Sequence, residues 1–238
     1  PYDATTNPTG GAMWQYIAAN IDEPGDADEI APTWTKDVAG VTVGFVGAVT
    51  EHLPELVSPG GIEGLTVTDI VDATNEQAAK LRADGADVVV LLVHEGAPST
   101  DCATMDDDPT SDFGSIINGV DGDVDAIISG HTHLNYSCSF PVADWASDPT
   151  HVVKDRPVVS AGQYGAFLNK LDFSVEPDTG AVLAVTNQNL NLNTGTYPNA
   201  LNYGWFNYYP TDAAGAAAGV TQHMLKANAD AATLVKSG

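Results

Sequence analysis

The stretch DVVVLLVHEG, residues 87–96, places six consecutive apolar residues directly before a histidine. An unbroken apolar run of this length is typical of a parallel strand that is covered on both faces. The stretch VDAIISGHTH, residues 124–133, repeats the arrangement, with an apolar strand over 124–129 followed by two more histidines. We therefore expect an α/β fold built around a mainly parallel sheet.

Helical and β-rich segments alternate around these two strands. A helix is predicted from a cap at Thr68 to about Asp84, where Gly85 ends it. A short helix over 111–118 precedes the second strand, and the run 41–47 supplies an earlier buried strand. The order strand, helix, strand, helix, strand implies right-handed crossover connections between parallel strands.

The flanking segments are expected to complete one domain over 1–190. Residues 14–18 alternate weakly and predict a strand, and the segments 158–161, 167–175 and 181–188 predict a closing antiparallel meander with a turn at 177–180. Residues 191–238 are expected to form a polar and aromatic segment and an Ala-rich helix over 212–236, leading toward a further domain. The turn-rich segments 1–11, 22–28 and 96–110 are predicted to be loops.

The charge of the chain excludes some partners. Eight Lys and Arg stand against 32 Asp and Glu, for a net charge of -24. This argues against binding of duplex nucleic acid or anionic lipid through a basic face. A phosphate substrate would have to be neutralised by metal ions instead. No apolar stretch reaches the ~18 residues that a membrane helix needs. The oligomeric state is left open.

The start of the chain and its two cysteines bear on the compartment. The chain begins at Pro1 without an initiator Met, so we expect a processed or trimmed product whose lack of a signal peptide says nothing about location. Cys102 and Cys138 are compatible with one disulfide, and a pair of buried free thiols is the alternative. The acidic composition favours the disulfide and a secreted, periplasmic or cell-surface protein.

Three histidines stand where an open α/β sheet places its ligands, just beyond the carboxyl ends of strands. They are His94 after the first apolar strand and His131 and His133 after the second. Imidazole suits zinc, manganese or iron, so these residues are candidate metal ligands, with ordinary surface histidines as the alternative. If residues 130–133 stay extended, the rings of His131 and His133 point to opposite sides. Gly130 would let the backbone pass close to a ligand.

Other candidate features receive a structural interpretation. His52, His151 and His223 have no comparable setting and are expected to be structural. The run Asp106 to Asp108 is expected to be a solvated acidic loop, with a surface calcium site as the alternative.

With both motifs in place, the chain resembles a known family. Val-His-Glu-Gly after one strand and Ser-Gly-His-Thr-His after the next are similar to the calcineurin-like metallophosphoesterases, above all to the secreted bacterial 5′-nucleotidase and UDP-sugar hydrolase family. The supporting segments 16–20, 43–47 and 160–165 also look similar, so the resemblance covers roughly residues 12–190.

This resemblance implies a partial four-layer α/β/β/α sandwich with mixed sheets and a centre of two divalent metal ions such as zinc or manganese. It implies that His94 and His131 bind one ion and that His133 binds the other. Their neighbours Glu95, Gly130 and Thr132 would support these ligands. The implied activity is hydrolysis of a nucleotide or related phosphoester by metal-activated hydroxide.

Several family motifs are not in the chain. The family's Asp-x-His, its Gly-Asp pair and its Gly-Asn-His-Glu motif, which supplies the catalytic histidine, do not occur between Pro1 and Gly238. We therefore expect no catalytic residue in this chain, partial or no metal occupancy, and little or no activity without the earlier motifs. Two alternatives remain: a non-catalytic binding module of the same fold, and a hydrolase that holds one zinc with three histidines.

Overall fold

A computed structural model describes residues 14–22 and 30–192. The described strands are β1 (Ile21–Asp22), β2 (Thr33–Val38), β3 (Val41–Val49), β4 (Thr66–Val67), β5 (Val88–His94), β6 (Ala126–Ser129), β7 (Asn135–Pro141), β8 (Asp155–Ala161), β9 (Phe167–Val175) and β10 (Val182–Asn191). The described helices are α1 (Leu53–Leu56), α2 (Ile70–Ala83), α3 (Asp112–Gly119) and α4 (Ala143–Ser147), with 3-10 turns at Pro59–Gly61 and Cys102–Thr104.

A six-stranded mixed sheet forms the centre of the fold, in the order β2-β3-β5-β6-β8-β7. The inner pairs β3–β5, β5–β6 and β6–β8 are parallel, and the outer pairs β2–β3 and β7–β8 are antiparallel. The predicted α/β class and the predicted adjacency of the two histidine-bearing strands are confirmed.

The two faces of this sheet are covered by different elements. On one face α2 and α3 pack against inner-strand side chains such as Val89, Leu91 and Ile127, all fully buried. On the other face Leu171 and Phe173 of β9 pack against Val88 and Val90 of β5. The described residues thus form three of the four layers that the resemblance implies: helices, the six-stranded sheet and the β9–β10 hairpin.

Helix α2 begins one residue later than predicted. Its cap is Asp69, whose side chain accepts a hydrogen bond from the backbone N–H of Asp72 at 2.7 Å. A carboxylate at this position accepts a hydrogen bond from a free N–H of the first turn, and its negative charge is stabilised by the positive end of the helix dipole. Asp69 is therefore a better cap than Thr68. Gly85 follows the helix with φ +93°, as a helix-ending glycine should.

One strand prediction and one prediction of strand pairing are wrong. Residues 14–18 form no strand; the segment lies against β3 instead, so closely that a Cβ on Gly47 would lie 2.2 Å from the carbonyl oxygen of Ile17. The segment 158–161 is a strand as predicted, within β8, but it lies in the central sheet between β6, to which it is parallel, and β7, to which it is antiparallel, and not in a meander with the two later strands. Residues 167–175 and 181–188 form the predicted antiparallel pair, the hairpin β9–β10 around the turn at 177–180.

The two outer strands β2 and β7 were not predicted. Strand β7 nevertheless carries a period of two, because Tyr136, Cys138 and Phe140 are buried while the residues between them are exposed. The hairpin contacts this strand, because the Asn187 and Asn189 side-chain amides donate to backbone carbonyls of β7. This contact fixes the hairpin beside the strand that follows the second histidine motif.

Backbone contacts divide the chain into the units Pro1–Leu190 and Asn191–Gly238, and the described residues belong almost entirely to the first. The assignment of 1–190 to one metallophosphoesterase domain stays a prediction. The predictions for residues 1–11, 23–28 and 212–236, and for His223, fall outside the described residues. In the described part of the chain every helix is too short or too polar to span a bilayer.

Candidate metal centre

The ends of β5 and β6 bring two of the three candidate histidines together. The strands pair in parallel, with Leu92 opposite Ile128, so the residues that follow them meet at the same edge of the sheet. His94 Nε2 lies 3.3 Å from His131 Nδ1, and the two ring centroids are 5.1 Å apart at an interplanar angle of 71°. The predicted convergence of these imidazoles is therefore present.

The loops that carry the two histidines are in direct backbone contact. The N–H of Gly130 donates to the carbonyl of Glu95 at 3.0 Å. A Cβ on Gly96 would lie 2.1 Å from the Gly130 carbonyl oxygen and 2.8 Å from Thr132 Oγ1. A Cβ on Gly130 would meet His94 Nδ1 at an ordinary 3.9 Å. The close approach of the two loops thus depends on Gly96, and the role predicted for Gly130, to let the backbone pass close to a ligand, stays a prediction.

The backbone after β6 is not extended, which corrects a second expectation. His131 and His133 both have left-handed conformations, with φ of +61° and +62°. The N–H of Thr132 donates to the carbonyl of Gly130 at 2.7 Å, closing a tight turn around His131. Because the segment is folded, the alternation of an extended chain does not decide where the two rings point.

Left-handed backbone is concentrated at this site. Within residues 14–22 and 30–192, the non-glycine residues with positive φ are Ala39, His131, His133 and Tyr164. Such conformations cost roughly 1–2 kcal/mol for residues other than glycine. They persist where surrounding contacts enforce them, and they cluster at functional sites. Three of these four residues belong to the histidine cluster or contact it, while Ala39 lies in the β2–β3 turn.

The third histidine occupies a separate position on the same loop. The His133 ring is exposed, and its nearest ring neighbour is Tyr164, with centroids 6.0 Å apart. Tyr164 follows β8, the strand next to β6, and was not singled out from the sequence. His133 still acts electrostatically on His94, because its positive charge would oppose protonation of the His94 ring.

The side chain of Glu95 holds the backbone beside the histidine cluster in place. Its side chain is only 5% exposed, and one carboxylate oxygen accepts a hydrogen bond from Thr50 Oγ1 at 2.7 Å. The other oxygen accepts from the N–H of Gly96 at 3.0 Å. Thr50 follows β3, so this carboxylate joins the ends of β3 and β5 and fixes the backbone beside His94.

A chain of hydrogen bonds under the two loops involves Tyr136. The N–H of Ala97 donates to the Tyr136 hydroxyl at 3.2 Å, and that hydroxyl lies 2.6 Å from Ser129 Oγ. Ser129 Oγ in turn donates to the carbonyl of Val159 at 2.9 Å. Burial raises the pKa of Tyr136, which keeps the phenol neutral in this network. The loop after β5, the end of β6 and strand β8 are thereby held in one arrangement.

The His94 and His131 pair fits part of a metal-binding shell. Burial lowers the pKa of His94, and the neighbouring His131 lowers it further, so its ring is neutral and can donate a lone pair. Two nitrogens bound to one tetrahedral zinc at about 2.0–2.1 Å lie about 3.3 Å apart, which matches the distance between His94 Nε2 and His131 Nδ1. The Thr132 hydroxyl beside them is buried without a hydrogen-bond partner in the described part of the chain.

Within the described residues the fit is incomplete. Among residues 14–22 and 30–192, no three His, Cys, Asp or Glu side chains gather around a point where one ion could sit. The pair formed by His94 and His131 therefore offers two ligands, and His133 stands apart from it.

The remaining candidates lie elsewhere. His52 sits between two carboxylates, with Nε2 3.4 Å from Asp112 and Nδ1 3.7 Å from Glu55, and these raise its pKa. The His151 ring stacks on Trp145 at 4.6 Å. Both contacts are consistent with the structural roles expected of these two histidines.

The acidic run and the cysteines also find local partners. Asp108 accepts hydrogen bonds from the N–H and hydroxyl of Thr110, and these lower its pKa. No acidic cluster that could hold calcium forms there within the described residues. Cys102 and Cys138 are joined in the structure as a disulfide, with Cα atoms 5.6 Å apart. This bond ties the loop after β5 to the buried side of β7.

The fold is similar to that of metallophosphoesterases. Among solved structures, a 5′-nucleotidase precursor from Thermus thermophilus superposes with a TM-score of 0.58 at 20% identity, over 75% of this chain and 34% of that protein. At this identity the likeness establishes the fold alone. No protein-family model matches the chain.

Sequence relatives point the same way. The chain is 31% identical over 149 residues to the trifunctional nucleotide phosphoesterase protein YfkN of Bacillus subtilis, covering 59% of the chain and 9% of YfkN. It is 24% identical over 170 residues to the endonuclease YhcR of the same organism, covering 71% of the chain and 12% of YhcR. The predicted resemblance to 5′-nucleotidases and calcineurin-like phosphoesterases is confirmed. The chain spans about a tenth of the length of these two relatives.

Proposed function

We propose that this chain supplies the histidine half of a two-metal phosphoesterase centre of the 5′-nucleotidase type. The observation that carries the proposal is the 3.3 Å approach of His94 Nε2 and His131 Nδ1 at the ends of adjacent parallel strands. In this proposal His94 and His131 hold one divalent ion, zinc or manganese, and His133 contributes to a second. The substrate is a nucleotide or related phosphoester.

Each residue of the site has a defined task in this scheme. His94 and His131 present ring nitrogens to the ion, and Glu95 holds the backbone beside them through Thr50 and the Gly96 N–H. The chemistry that such a centre supplies is a metal-activated hydroxide and stabilisation of negative charge on the phosphoryl oxygens. With eight basic side chains in the whole chain, this neutralisation depends on metal rather than on Lys or Arg.

The bridging carboxylate and the catalytic histidine of the family are, in this proposal, supplied by a segment outside these 238 residues. The chain alone is then inactive or nearly so and binds metal weakly, because each shell is only half built. The acidic composition and the Cys102–Cys138 disulfide support a secreted, periplasmic or cell-surface setting, where such bonds persist.

Metal titration of the chain tests the proposal. Binding of Co²⁺, followed by its visible absorption, should be weak in the wild type and lost in His131→Ala. His151→Ala is the matched control, because the His151 ring stacks on Trp145, away from His94 and His131. This variant should bind Co²⁺ as the wild type does. Equal losses in both variants would show that the pair is not the binding site.

Two further measurements separate the alternatives. One tightly bound zinc per chain together with hydrolysis of an aryl phosphodiester would favour the three-histidine, single-zinc hydrolase. In a longer protein that also contains the early motifs, His131→Ala should lower turnover by orders of magnitude while leaving the fold intact. Near-normal turnover in that variant would mean that His131 is not a metal ligand, whereas no turnover in the unaltered longer protein would favour a binding module without catalysis.

A further inference from the structure

A cavity of about 330 Å³ lies at the edge of the central sheet opposite the histidines, where β6 and β8 begin. Its walls come from the carboxyl end of α3, the end of β7, the start of α4 and the first part of β8. A cavity of this size is at the lower end of those that hold small organic ligands. It is lined by none of the residues of the proposed phosphoesterase centre, so any ligand that it holds is independent of that function.

Arg156 lies in the wall of this cavity, and its buried guanidinium has no carboxylate within ion-pair distance in the described part of the chain. The residue is 2% exposed. Its guanidinium donates to the backbone carbonyls of Val120 and Val124, each at 2.8 Å, and to that of Asp121. These bonds use three of the five N–H groups that a guanidinium carries.

The charge of this guanidinium persists in the fold. Burial lowers the pKa of Arg156 to about 10, which still leaves the side chain a cation at neutral pH. A buried charge is costly unless it is paired with an opposite charge. A buried, unpaired cation with N–H groups to spare in a cavity wall is therefore suited to an anionic group of a ligand.

Three carboxylates line the same cavity, those of Asp106, Asp121 and Asp144, and none of them pairs with a Lys or Arg of the described residues. Asp121 Oδ1 accepts from the N–H of Asp123 at 3.0 Å. Asp144 Oδ2 accepts from the N–H of Gly122 at a longer 3.4 Å. Within the described residues these carboxylates do not converge on a point where a metal ion could sit. Separate carboxylates of this kind suit an ammonium group, which donates hydrogen bonds without needing a closed coordination shell.

We propose that this cavity binds a small zwitterion, an α-amino acid with an apolar side chain. The ligand carboxylate pairs with Arg156, and the ligand ammonium pairs with Asp121 or Asp144. The apolar side chain packs against Ile117 and Phe140, two buried residues that also line the cavity. A zwitterion has no net charge, so the net charge of -24 on the chain does not repel it, whereas a phosphate would be repelled by the three carboxylates.

Isothermal titration of the chain with L-leucine, without added metal, tests this inference. Leucinamide keeps the ammonium and lacks the carboxylate, and 4-methylpentanoate keeps the carboxylate and lacks the ammonium. Leucine should bind saturably, and each analogue should bind at least about tenfold more weakly, because each loses charge-assisted hydrogen bonds.

The two analogues test the charged groups in the unaltered protein. This matters for Arg156, because its replacement would also remove three hydrogen bonds to the backbone before β6. Leucinamide as tight as leucine would show that Arg156 recognises no carboxylate. Equal binding of 4-methylpentanoate would show that the aspartates recognise no ammonium. Either result, or no binding of leucine, would overturn the proposal.

Two variants locate the ligand. Ala143 is exposed at the start of α4 and lines the cavity, so Ala143→Phe should fill the space and weaken leucine binding at least about tenfold while leaving urea denaturation close to the wild type. Asp144→Asn should weaken binding of leucine but not of 4-methylpentanoate. Asp148→Asn is the matched control, because Asp148 is exposed at the other end of α4 and does not line the cavity. Wild-type affinity for leucine in Ala143→Phe or Asp144→Asn, or an equal loss in Asp148→Asn, would place the ligand elsewhere and overturn the proposal.

Discussion

Substitution of Gly96 by Ala should separate the two loops that carry His94 and His131. The added Cβ would lie 2.1 Å from the Gly130 carbonyl oxygen and 2.8 Å from Thr132 Oγ1. Because a Cβ needs at least 3.0 Å, the Gly130 backbone has to move by about 1 Å. That movement strains the hydrogen bond from Gly130 N–H to the Glu95 carbonyl. Overpacking of this kind and loss of one hydrogen bond together should lower the free energy of unfolding by about 2–3 kcal/mol.

Gly130→Ala provides the matched control, because its Cβ would make an ordinary 3.9 Å contact with His94 Nδ1 and Gly130 does not have positive φ. Its free energy of unfolding should change by less than about 1 kcal/mol. Urea denaturation followed by near-ultraviolet circular dichroism measures both variants. The contact between the loops would be refuted if Gly96→Ala unfolded at the wild-type urea concentration, or if Gly130→Ala were equally destabilised.

Three further predictions concern the support of the site. Thr50→Val removes the donor to the buried Glu95 carboxylate and should cost about 1–3 kcal/mol in urea denaturation, whereas Thr50→Ser should stay close to the wild type. Mass spectrometry with and without reductant should find Cys102 and Cys138 bonded, and replacing both by Ser should cost about 3–4 kcal/mol for a sequence separation of 36; two free thiols in the unreduced protein would contradict this. Burial raises the pKa of Tyr136 above 10.0, so the unfolded chain loses the phenolic proton first and stability should fall as pH rises past that value. Tyr136→Phe should lack this part of the alkaline destabilisation, and an identical pH profile in both proteins would count against the buried phenol.

Much of the central sheet could be predicted because its signals are local. The apolar runs before His94 and His131 are long enough to specify buried strands, and the helix between them leaves only a right-handed crossover. Adjacent parallel strands end at the same edge, so the meeting of these two histidines follows from the chain order.

The outer strands β2 and β7 were not predicted because their local sequence signals are weak. Strand β2 is almost entirely exposed, so its residues carry no apolar pattern. Strand β7 does alternate, but its exposed positions and the turn residues around it obscure the signal. A search for period two after the second histidine motif could have found Tyr136, Cys138 and Phe140. The parallel pairing of β8 with β6 had no local signal in the sequence, because the residues of a strand do not specify which other strand it will lie beside.

By itself the sequence determined the α/β class, the two histidine-bearing strands and the kind of chemistry that imidazoles at a strand edge can support. Only the tertiary structure decided the details of the site: the left-handed turns at His131 and His133, the need for glycine at 96, and the position of Tyr164 beside His133. The physical reason is that hydrophobic periodicity is a property of neighbouring residues, whereas these details depend on contacts between segments far apart in the chain. Such contacts can force a backbone into a conformation that its own residues disfavour.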